Sequence, residues 1–266
     1  MQLKINESYG VFKGCQELAI KIADRIYEEW GNDSDKIKQP IDVPCFFSYD
    51  NMAHIYPTNL NLSAAYILDP RCEGRVTILV NPKIINWRNE TRLLSSLTHE
   101  LTHAYRDFLK RLAGTSEYES GIKDGYFKNF DYKFKNLDEK NLLKNNFSQF
   151  IYMTSQMELP AFIAGMYSGL SNYMGEVFDV DDALDVIHNT PEYKRFLDAF
   201  NFAKYVSECD AEITQNLLVK YGTELTNIPF KNFNQIKKFV SNKYRRASYK
   251  LMKFIPKMIY KFFEEE

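Results

Sequence analysis

Between residues 93 and 112, Leu94, Leu97, Leu101, Ala104, Tyr105, Phe108 and Leu112 recur at helical spacing and form one apolar stripe. The pattern predicts an amphipathic helix anchored by that stripe, with Gly114 as its C-cap. Upstream, Leu18, Ile22, Ile26 and Tyr27 predict a first helix over 12–30, stopped by Gly31-Asn32-Asp33-Ser34. Short β-like runs follow at 41–47, 64–68 and 75–80, separated by Pro, Asn, Gly and Asp clusters. Residues 115–141 show little periodicity and read as a long polar loop or flap. From Leu142 the helical pattern resumes over 142–173, with Pro160 inside it, and again over 180–188, 191–206, 207–221 and 234–263. The expected organisation is an α+β lobe over 1–114 followed by a mainly helical lobe over 115–266.

The helix over 93–112 also carries His99-Glu100-Leu101-Thr102-His103, an H-E-x-x-H sequence. At about 100° per residue, His99 and His103 lie within about 40° of each other, so two imidazoles converge on one point. Glu100 lies about 100° round from His99, within reach of a metal-bound water and too far round to be a natural ligand. The chain has four His, at 54, 99, 103 and 188, and two of them flank this Glu on the side opposite the apolar stripe. The spacing points to a zinc site, with His99 and His103 as ligands and Glu100 as general base.

The run from His99 to Phe108, His-Glu-Leu-Thr-His-Ala-x-x-Asp-aromatic, resembles the active-site helix of zincin metallopeptidases, most closely the thermolysin-like members of the gluzincin group. The longer metzincin motif does not fit, because Arg106 and Leu109 stand where it needs Gly and His. The resemblance implies a zincin-like α+β fold, with a small mixed sheet ahead of the H-E-x-x-H helix and a helical lobe behind it. It also implies that the strand over 75–80 forms the cleft edge, where an extended peptide adds as a further strand.

In gluzincins the third zinc ligand is a Glu on a later helix, and Glu158 is the best match, in Ser155-Gln-Met-Glu-Leu-Pro-Ala-Phe-Ile-Ala. Ala161 and Ala164 are small enough to let that helix approach the first, although Met157 stands where thermolysin-like enzymes place an Asn. Ser155-x-x-Glu158 also reads as a capping box, which gives Glu158 a purely structural alternative. Glu117 and Glu119 are the runners-up. Asp107, one turn beyond His103, is placed to accept a ligand imidazole's free N–H. A second donor to the oxyanion normally comes from the C-terminal lobe; His188 is the candidate catalytic residue there, with Tyr152 and Tyr167 beside it as alternatives.

Composition narrows the setting. The 266 residues carry 34 Lys and Arg against 35 Asp and Glu, so net charge exerts no global pull toward nucleic acid or membrane. The N-terminus lacks a secretory leader pattern, and Cys15, Cys45, Cys72 and Cys209 form no C-x-x-C pair, which predicts free thiols and a cytoplasmic or particle-packaged protein. No stretch is long and apolar enough for a transmembrane segment. Between Lys231 and Lys261 there are ten Lys and Arg and no acid, on a helix with an apolar line through Ile236, Val240, Tyr244, Ala247, Leu251, Phe254, Met258 and Phe262. That helix packs on the helical lobe and offers its basic face to solvent or to an acidic partner, with Pro256 as a kink point. The expected function is a zinc-dependent peptidase acting on a peptide or protein substrate, with no specific nucleic acid. The alternatives are an inactive metallopeptidase-like scaffold or partner-binding protein, and a deformylase-like hydrolase using Cys72.

Overall fold

The computed structural model describes residues 3–31, 39–60, 63–67, 74–82, 90–116 and 141–265. The polar loop expected over 115–141, with Glu117 and Glu119, lies almost wholly outside the described residues, as does Cys72. The described residues form an α+β protein: α1 (Leu3–Trp30), β1 (Ile41–Pro44), β2 (Met52–Pro57), β3 (Ala64–Tyr66), β4 (Val76–Val80) and α2 (Glu90–Leu112), followed only by helices. These are α3 (Leu142–Met153), α4 (Glu158–Ser171), α5 (Val180–Asn189), α6 (Pro191–Glu208), α7 (Glu212–Thr226) and α8 (Phe233–Glu265).

The chain divides into two compact units, Met1–Glu119 with Ala161–Ile187, and Ser120–Pro160 with His188–Glu266. In this division most of α4 and most of α5 group with the sheet-bearing unit. The cut at 160 falls in the first turn of α4, so Glu158 rides on the same continuous helix as Phe162 and Ser168.

The first unit is built on a four-stranded mixed sheet of order β1-β2-β4-β3. β1 and β3 run antiparallel to their neighbours, and β2 and β4 pair in parallel. Alternation selects the inward set Ile41, Val43, Ala53, Ile55, Val76, Ile78 and Val80, each at most 3% exposed. Over this face pack α1, through Cys15, Leu18, Ile22, Ile26 and Trp30, and α2, through Leu94, Leu97, Leu101 and Ala104. The stripe predicted on α2 frays at its end, where Leu112 is 66% exposed. There Gly114 adopts φ +76° and the Thr115 N–H donates to the Lys110 carbonyl, closing the helix in a Schellman turn.

Three expectations are corrected here. The strand over 75–80 is not an edge: β4 is flanked by β2 and β3, and among the described residues β3 is the outermost strand on that side. β2 was not anticipated from its sequence, and it supplies the parallel partner of β4. The helix expected over 142–173 breaks at 154–157, where the Thr154 N–H and hydroxyl both bond the Phe150 carbonyl and the chain restarts at Glu158.

In the second unit, Phe202 of α6 packs its ring against Phe147 and Phe150 of α3, with both centroid distances 5.3 Å. α8 lies on α6 and α7 and continues through Pro256 without interruption.

On the other face of the sheet His54 bridges β1 and the β1–β2 turn, its Nδ1 2.7 Å from Asp42 Oδ1 and its Nε2 2.8 Å from Asp50 Oδ2. Burial alone would lower the His54 pKa, but hydrogen bonds donated to Asp50 and Asp42 outweigh it and raise the value above the ordinary 6.5. A raised folded pKa means the stabilisation is fully present below the unfolded value and is lost as pH rises through the folded one. His54→Gln therefore lowers the urea midpoint clearly at about pH 5.5 and much less at about pH 9. In the core, Leu97→Ala removes a fully buried side chain and costs about 2–5 kcal/mol in equilibrium unfolding.

Candidate metal centre

The polar side of α2 is buried as well as the apolar side. Ser95, Thr98, His99, Thr102, His103 and Asp107 are all 8% exposed or less. α4 covers part of this side: Thr98 Oγ1 lies 3.3 Å from Ser168 Oγ, and the His99 ring sits 4.9 Å from that of Phe162. Ala161 and Ala164 on α4 are both fully buried, and such small side chains permit close helix approach.

Within this packing His99 Nε2 and His103 Nε2 lie 3.3 Å apart, with the ring planes inclined at 69°. Glu158 is fully buried, and its carboxylate joins the pair so that one ligand atom from each residue lies within 4.8 Å of the others. The separation of the two nitrogens has a specific meaning. Two metal–nitrogen bonds of about 2.0–2.1 Å at a tetrahedral angle set their nitrogens roughly 3.3–3.4 Å apart. Two imidazoles and one carboxylate are also the N/O donor set that suits zinc and leaves a fourth position open, whereas Ca²⁺ and Mg²⁺ call for oxygen alone. The residues present thus fit the metal implied by the motif.

The capping alternative for Glu158 resolves into two separate jobs. Its backbone N–H donates to Ser155 Oγ at 3.1 Å, so Ser155 does cap α4. The Ser155 N–H, which a full capping box would direct at the Glu158 carboxylate, instead donates to the Tyr152 carbonyl.

Glu100 and Asp107 are held by the sheet edge. The Tyr66 N–H donates to Glu100 Oε2 at 2.7 Å, and the Tyr66 hydroxyl donates to Asp107 Oδ2 at 3.2 Å. Arg111 Nε donates to the same Asp107 oxygen at 2.7 Å. Burial would lower the Arg111 pKa, but the Asp107 hydrogen bond and charge more than offset this and raise it. Tyr66 and Phe162 were not singled out from the sequence. A Tyr in a three-residue strand and a Phe in a helix carry no motif, and only their place in the fold brings them here.

His188 is not in the assembled group. It is exposed in the last turn of α5, its ring centroid 4.5 Å from that of Tyr193. Tyr152 and Tyr167 are buried, Tyr167 among the largest fully enclosed side chains. Burial pushes the Cys15 thiol up to about 12, offset only in part by its hydrogen bond with Thr102, and pushes Cys45 up to about 11. Neither thiol belongs to the group formed by His99, His103 and Glu158.

No family model matches this chain, and comparison with curated proteins and with solved structures found no match. The centre therefore rests on its own geometry. Glu158→Gln keeps the N–H that Ser155 accepts while removing the charge. Zinc affinity should fall by more than about 100-fold, beyond what loss of an outer partner costs, with the far-UV circular dichroism unchanged. Undiminished zinc binding would take Glu158 out of the ligand set.

Proposed function

We propose that this chain is a zinc-dependent peptidase of gluzincin type, with a zincin-like arrangement of sheet edge and H-E-x-x-H helix. The observation that carries the reading is the meeting of His99, His103 and the buried Glu158 at ligand distances beside Glu100. His99, His103 and Glu158 would hold the ion, and zinc in such a site supplies an acidified water and polarises a carbonyl.

The remaining work falls to the chain's own groups. Glu100, the residue after His99, is the general base, accepting a proton from water and delivering it to the leaving amine. Its carboxylate is positioned by the Tyr66 N–H, which limits how far it can swing. The same strand is suited to hold substrate. The Ile67 N–H donates to the Thr77 carbonyl and the Asn81 N–H to the Ser63 carbonyl, which sets Ser63, Ala65 and Ile67 as the residues bonded to β4. The main-chain groups of Ala64 and Tyr66 therefore point away from β4; the Tyr66 N–H is taken by Glu100, which leaves those of Ala64 for a peptide strand. An extended peptide pairing there would be bound chiefly through its backbone, with little sequence preference.

The test is hydrolysis of a reduced, unfolded protein by the zinc-loaded chain. Glu100→Gln should lower the rate by roughly 10²–10⁴-fold with zinc content unchanged. Equal inertness of wild type and Glu100→Gln across broad substrates would replace the peptidase with a zinc-binding scaffold.

A further inference from the structure

α8 presents two faces of different character. Its inner face, Ile236, Val240, Ala247, Leu251, Met258 and Phe262, is at most 3% exposed. Its outer face is not simply polar. Tyr249, Met252 and Tyr260 are 68%, 76% and 65% exposed, and Pro256 is exposed beside them. On a helical wheel these four fall within about 60° of Tyr249. They form a ridge about 16 Å long from Tyr249 to Tyr260. Arg245, Arg246 and Lys253 stand exposed on its flanks, within a run of ten basic residues and no acid from Lys231 to Lys261. Since basic and acidic residues nearly balance over the whole chain, the rest of the sequence is acidic, and the positive charge is concentrated on this helix.

We infer that the outer ridge of α8 docks on an anionic lipid surface. Tyr is at home at the depth of lipid headgroups, where its ring is covered and its hydroxyl stays wet. Lys and Arg beside it draw on the negative potential of acidic phospholipids. The shape favours this occupant over the others. Single-stranded nucleic acid needs successive aromatic platforms in a groove, whereas these two Tyr lie about three turns apart on a convex rod. A helical protein partner would need a groove to enter, and side chains this exposed stand proud of their surroundings. None of the helices among the described residues is long and apolar enough to cross a membrane, so the contact is peripheral.

The experiment uses the full chain, co-sedimented with vesicles of phosphatidylcholine alone or with roughly a quarter phosphatidylserine, and titrated in parallel with a single-stranded oligonucleotide. Binding is expected to the phosphatidylserine vesicles, weakening with salt. Arg246→Gln with Lys253→Gln should weaken it about 25-fold, taking about fivefold for each charge. Tyr249→Ser with Met252→Ser should weaken it at least about fivefold. All four side chains are exposed, so melting temperature and circular dichroism should not change. Equal binding to both vesicle types, insensitivity to both double variants, or binding of the oligonucleotide without the vesicles would each overturn the inference.

Discussion

A fully buried carboxylate on α4 beside two nearly buried imidazoles on α2 is the constraint on which the candidate centre depends. Removing Glu158 from water is costly unless positive charge or hydrogen-bond donors compensate it. His99 and His103 stand one helical turn apart at the separation two zinc ligands adopt, so one divalent ion would satisfy all three groups together. Precision of this kind requires rigid support. α2 receives it from Leu94, Leu97, Leu101 and Ala104, set into the core shared with α1 and the sheet. α4 supplies Phe162 against the His99 ring and Ser168 against Thr98.

The sheet matters to the centre through its edge strand. β3 has only three residues, yet Tyr66 reaches α2 twice, by its N–H to Glu100 and by its hydroxyl to Asp107. Arg111, one turn beyond Asp107, completes that anchor. A β-strand places alternate backbone groups on opposite sides, so pairing Ala65 with Leu79 commits Tyr66 to face the helix. The strand that would receive a substrate thus also orients the carboxylate proposed to act on it.

Much of this was legible in the residue pattern, because helices announce themselves locally. The H-E-x-x-H spacing placed His99 and His103 on one side of α2, and the small residues at 161 and 164 marked α4 as able to approach. What was not legible depends on pairing at a distance. Met52-Ala-His-Ile-Tyr-Pro buries only Ala53 and Ile55, too few positions to read as a strand, yet it forms β2. Nothing local in Val76–Val80 says that it pairs on both sides, so its central place, and with it the identity of the edge, emerged only from the sheet order. The four-residue break before Glu158 was hidden by apolar residues on both sides of it. His188 and Tyr193, close in sequence, met each other at the surface.

X-ray absorption at the zinc edge of the purified chain, together with its metal content, decides whether His99, His103 and Glu158 hold zinc. One zinc per chain is expected, with a first coordination shell of imidazole nitrogen and carboxylate oxygen at about 2.0–2.2 Å. Substoichiometric zinc after reconstitution, or a shell fitted by sulfur at about 2.3 Å, would contradict it.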